Sequence, residues 1–186
     1  MVADLLSARW PEKRVILNVY AVIVLIIYSW SLYTSFWKVP SWMFYLNVGE
    51  ILSIYAYSFT VDLIESLLLL LVCLSPCLIL PPKWWKEKFL SRSLMFVIIF
   101  LGSIMSRLYL YGSPDYRVYF VAGQELWWLV TLIVMLLGMW LASKLAWLKK
   151  SLELFADQCS VFVYFSIPIS ILSLIVVLIR GIVGVS

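Results

Sequence analysis

Two acids stand where an apolar run leaves little room for charge. Asp62 and Glu65 precede Leu67 to Leu80, fourteen residues that contain no charged side chain. Three positions apart on a helix, the two acids share a face, and continuing that face adds Tyr55, Ser58, Ser66, Cys73, Pro76 and Cys77. Carboxyls in an apolar helix suit the binding of a proton or a cation, or the seating of a polar headgroup. They equally suit ion pairing with a basic residue on a neighbouring helix, a clamp that fixes packing.

Arg107 is the basic residue that matches them in depth. At about 1.5 Å per residue, Glu65 lies roughly 22 Å from Leu80, and Arg107 about 21–22 Å from Arg92 or Ser93, where its own run begins. Glu125 at the start of the next apolar run and Arg180 at the end of the last complete a candidate set of Asp62, Glu65, Arg107, Glu125 and Arg180. This depth count puts none of them at the bilayer midplane. The clamp is therefore the leading reading, and an ion or headgroup site the second.

Other chemistries find fewer residues. The chain has no histidine, which removes the usual haem ligand and the base of a hydrolytic triad. Cys73 and Cys77 are one helical turn apart and Cys159 begins another apolar run. That is neither CxxC spacing nor a four-cysteine set, so small buried thiols are expected and no metal. Gly102, Gly112, Gly123 and Gly138 form no phosphate loop. No cofactor is expected from a motif, while a lipid, pigment or quinone held by packing is compatible with the aromatic content.

The elements that position these residues follow from composition. Of 186 residues, 65% are hydrophobic and 13% charged, with a mean hydropathy of +1.03. Ordinary globular chains are about one quarter charged, so the solvent for this one is lipid. Lipid admits only helices or closed barrels, because every backbone polar group must be satisfied internally. Long apolar runs without period-two alternation select helices.

A single all-α transmembrane domain over 1–186 results, with spans at about 15–36, 59–80, 91–111, 124–147 and 159–180. The first run is too long for a signal peptide, lacks a small-x-small cleavage site and is expected to remain as a span. Pro40-Ser41 reads as a restart, and Asn47, Glu50, Ser53 and Tyr57 on one face suggest an interfacial helix at about 42–57. Pro81-Pro82 ends the second span, followed by a basic aromatic connector from Lys83 to Lys88. Gly112-Ser113-Pro114-Asp115 reads as a turn, and Leu148 to Gln158 as a short amphipathic piece. Pro168 is expected to kink the last span.

Ten Lys and Arg fall on one side of this arrangement and four on the other, which orients the N-terminus to the cytoplasm and the C-terminus outside. The net charge of +4 is read as topology signals and headgroup contacts rather than a nucleic-acid footprint. The expected partners are lipids and other membrane subunits in the cytoplasmic membrane. The leading functional expectation is a non-catalytic accessory subunit of a larger membrane complex, respiratory, photosynthetic or transport-related. The alternatives are a small transporter or channel using Asp62 and Glu65, and a lipid-acting membrane enzyme.

Overall fold

A computed structural model describes residues 10–79, 85, 88–111 and 123–183. Six helices account for nearly all of these: α1 Lys13–Trp42, α2 Val48–Ile79, α3 Phe89–Tyr111, α4 Gln124–Lys144, α5 Ala146–Cys159 and α6 Val161–Val183. Five of them, all but α5, are long and apolar enough to cross a membrane. No strand occurs among the described residues.

The last three spans fall close to their sequence-based bounds, and α5 is the short amphipathic piece. The first half differs. The expected interfacial helix and second span form one helix of 32 residues, and α1 continues through Pro40 to Trp42. No Gly or Pro interrupts Tyr57 to Val61, so nothing there ends a helix. The reversal sits at Met43–Asn47 instead. Asn47 and Glu50 form a reciprocal cap: the Glu50 amide donates to Asn47 Oδ1 at 2.9 Å, and the Asn47 amide donates to Glu50 Oε2 at 2.8 Å. Two otherwise orphaned donors at the start of α2 are thereby satisfied. The connector around Lys83 and Lys86, the Gly112–Asp115 turn, Arg9 and Arg117 lie outside the described residues.

The chain divides into two compact units, and α1 and α2 each run from one into the other. The first comprises Met1–Val19 with Cys73–Asp157, the second Tyr20–Val72 with Gln158–Ser186. In the first unit α3 and α4 form an antiparallel pair. Arg92 Nε donates to Ser143 Oγ at 2.9 Å, and Ser103 and Thr131 share a hydrogen bond of 2.7 Å, so rising numbers on α3 meet falling numbers on α4. Gly138 allows the close approach between them. A Cβ there would lie 2.6 Å from Ile99 Cδ1 and 2.9 Å from Met95 Cε. Also in this unit, Arg14 at the start of α1 pairs with Asp157 on α5 at 2.9 Å.

In the second unit α1, α2 and α6 contribute the packing. Ala21, Val22, Ile23 and Val24 on α1 are almost completely buried. Tyr28 stacks on Phe59 of α2 with ring centres 5.7 Å apart and planes 8° from parallel. Helix α6 is unbroken through Pro168.

Candidate functional site

Each unit buries one charged side chain of the candidate set, and the two are held differently. In the second unit the residue is Asp62, 7% exposed. The continuity of α2 changes its position. Asp62 lies about 21 Å from Val48 and about 25 Å from Ile79, near the middle of its helix rather than towards one end. Ser31 on α1 donates a hydrogen bond to its carboxylate. The second oxygen, Oδ2, is buried and has no hydrogen-bond partner.

A hydroxyl cluster stands close by. Ser170 Oγ donates to the Ser166 carbonyl at 2.6 Å and approaches the Tyr28 hydroxyl at 2.5 Å. The Tyr28 hydroxyl also donates to the Phe59 carbonyl at 3.4 Å, so its one hydrogen faces two acceptors while that of Ser170 is committed to the Ser166 carbonyl. Tyr28 and Glu65 are both within electrostatic reach of Asp62. Glu65, one turn further along α2, is exposed. Arg180 on α6 donates to Ser53 on α2, while its Nε is buried without a partner. In this unit the structure thus brings Ser31 to Asp62, leaves Tyr28 within electrostatic reach of it, and directs the Arg180 contact to a serine. The sequence reading missed Tyr28, Ser31 and Ser170. Tyr28 and Ser31 are three apart, as are Asp62 and Glu65, and Ser166 and Ser170 are four apart, so three matching helical polar faces were the available signal.

In the first unit the residue is Arg107, 5% exposed. Its guanidinium carbon lies 5.5 Å from the centre of the Trp127 ring and 6.0 Å from that of Tyr111, and the two rings meet edge-to-face. The negative face of each ring attracts the cation. The Trp127 ring is itself fixed. Its Nε1 donates to Ser103 Oγ at 2.8 Å, and Thr131 Oγ1 donates to the Trp127 carbonyl at 2.8 Å. The hydrogen shared by Ser103 and Thr131 therefore belongs to Ser103, which closes a loop with every hydroxyl hydrogen used.

Beside this aromatic clamp runs a cleft of about 520 Å³ between α3 and α4. Arg107, Ser106 and Tyr111 line one part of it, and Ile99, Val130 and Val134 supply apolar walls. Glu125, the remaining member of the candidate set, is exposed at the start of α4. The residues that hold Arg107 were legible only as interfacial aromatics and scattered hydroxyls. The three cysteines are unbridged and buried.

These features define a polytopic α-helical membrane protein. No protein-family model matches the chain, and no curated protein or solved structure matches it.

Proposed function

We propose that this membrane protein binds and releases a proton or a small cation at Asp62, as a small transporter or channel. The observation that carries the reading is the bare Asp62 Oδ2, buried near the middle of a long apolar helix. A buried acceptor without a donor costs about 1–3 kcal/mol, and a proton or cation on that oxygen offsets the cost. A packing clamp calls for a cation in contact with this carboxyl. In its own unit the arginine of α6 bonds Ser53 instead. Ser31 steadies the other oxygen, and Glu65, exposed on the same helix, exchanges the ion with the outside.

A second reading, the accessory subunit of a membrane complex, draws support from α4. Among its residues only Thr131, Gly138 and Ala142 are buried, so most of its circumference offers large apolar side chains to lipid or to a neighbouring subunit. In either case the localisation we propose is the cytoplasmic membrane, with the N-terminus inside and the C-terminus outside, on the Lys and Arg distribution.

Flux into sealed proteoliposomes tests the first reading. With a pH-sensitive dye inside and defined Na+, K+ and proton gradients, the wild-type protein is expected to carry flux above empty vesicles. Asp62→Asn is expected to abolish it, and Asp62→Glu to keep a part. No wild-type flux, or full flux in a well-folded Asp62→Asn protein, sinks the reading and leaves the subunit, for which a constant set of co-purifying chains is the expected result.

A further inference from the structure

Arg107 occupies an unusual setting for a charged group in a membrane helix, because it is both buried and beside an open cleft. We infer that the cleft between α3 and α4 is a binding site for an anionic phospholipid. The phosphate sits at Arg107, and one acyl chain lies along Ile99, Val130 and Val134. This inference stands independently of the reading at Asp62.

Depth is the first argument. Arg107 lies four residues before the end of α3, about 6 Å along the helix from Tyr111. From that depth a long arginine side chain can snorkel to a headgroup phosphate, with the apolar part of the cleft extending towards the hydrocarbon. Polar and apolar ends of the cleft thus follow the same order as those of a lipid. Trp127 and Tyr111, at that same end, are residue types enriched at the membrane interface.

Donor geometry is the second argument. The ring contacts of Arg107 lie within about 6 Å of its centre and use the faces of Tyr111 and Trp127. A guanidinium has five N–H donors directed in its own plane, so ring contacts and intramolecular bonds can coexist with a bidentate bond to phosphate. The Ser103, Thr131 and Trp127 loop locks the ring that orients this plane. A site held in place before binding loses less entropy when its ligand arrives.

Charge complementarity supplies the third argument and selects among lipids. Among the described residues, the lining includes one basic side chain and no acidic one. A zwitterionic choline lipid would add a cation next to Arg107, whereas a phosphatidylglycerol adds only hydroxyls, which Ser106 at the same end can meet. The cleft volume of about 520 Å³ lies within the range of small-ligand sites and accommodates the glycerophosphate and the first part of a chain.

Native mass spectrometry of the full chain, released from detergent with phosphatidylglycerol or phosphatidylcholine present, reads retention directly. The wild-type protein is expected to retain phosphatidylglycerol about tenfold better than phosphatidylcholine, a difference of about 1.4 kcal/mol. Arg107→Gln is expected to erase that preference, and Arg107→Lys to keep about half of it on the logarithmic scale, because charge persists while the planar fork is lost. Val130→Trp fills the chain end of the cleft without touching the charge. It is expected to lower retention of both lipids, and it decides the matter if Arg107→Gln fails to fold. Millimolar inorganic phosphate is expected not to displace the bound lipid, and displacement by phosphate would assign the site to a soluble anion instead. Equal retention of the two lipids by the wild-type protein, or undiminished phosphatidylglycerol preference in Arg107→Gln and undiminished retention in Val130→Trp, overturns the inference.

Discussion

Asp62 and Arg107 are both buried charged residues in apolar helices, and the two units accommodate them in opposite ways. Arg107 meets two ring faces whose quadrupoles favour a cation, and one of the rings, Trp127, is held by a closed loop of hydroxyl and indole hydrogen bonds. Asp62 receives one serine hydroxyl and keeps one oxygen bare. The difference reflects what an apolar helix bundle has to offer. Aromatic side chains are plentiful and present their negative faces to cations. A carboxylate needs N–H or O–H donors, and helical backbone N–H groups are already spent on the helix itself. A cation can therefore be built into such packing, while an acid retains an unmet demand that a proton or ion can fill.

The strongest test of this contrast is an exchange of effects. Asp62→Asn is expected to remove at least nine-tenths of any proton or cation flux while leaving lipid retention unchanged, measured in proteoliposomes and by native mass spectrometry. Conversely, Arg107→Gln is expected to cost phosphatidylglycerol preference and spare the flux. A variant that lost both properties with its fold intact would show that the two groups act as one.

Next in size is the packing that frames the cleft. Gly138→Leu drives a branched side chain into Ile99 and Met95, and is expected to destabilise the α3 and α4 pair by about 1–3 kcal/mol in a detergent unfolding titration. Gly138→Ala is expected to be close to neutral. The obstructing atoms must shift, and they are the far ends of an isoleucine and a methionine, which can swing aside by rotation of their side chains. Similar costs for the two variants would mean the interface is rigid against even one methyl group.

Two smaller effects concern the ends of helices. Asn47→Ala removes the cap that opens α2 and is expected to cost about 1 kcal/mol, with Asn47→Asp close to wild type. Arg14 holds the Asp157 carboxyl below the usual carboxylate range through a hydrogen bond and its charge, with Asn18 adding a further hydrogen bond. A carboxyl lowered in the folded state contributes stability above its unfolded value near pH 4, and that contribution is lost as pH falls through the lowered folded value. Thermal unfolding of the Arg14→Gln variant is therefore expected to differ slightly from wild type near neutral pH and to converge with it in acid. Both partners are largely exposed, so the difference is small and shrinks further in high salt.

Much of the architecture was legible because the length of an apolar run is a local property. Five long apolar helices, the bounds of α3, α4 and α6 and the short amphipathic α5 follow from counting residues without charge. Boundaries in the first half were harder. Asn47-x-x-Glu50 has the spacing of a helix cap, yet the same residues also fit the polar face of an interfacial helix, and the pattern alone does not decide between them. Pro40 has the look of a break, but near the end of α1 it costs only one backbone hydrogen bond.

The sequence by itself determined that this chain lies in a membrane, that it is helical, and that Asp62 and Arg107 are charges needing an explanation. Hydrophobicity and the absence of alternation are enough for that. Only the tertiary structure decided what each charge meets: the Ser31 hydroxyl in one unit, the clamp of Trp127 and Tyr111 beside a cleft in the other. The physical reason is rotation about the helix axis. A run of apolar residues specifies a helix and its length, while the rotation that turns Ser31 towards Asp62, or Trp127 over Arg107, is set by how neighbouring side chains interlock.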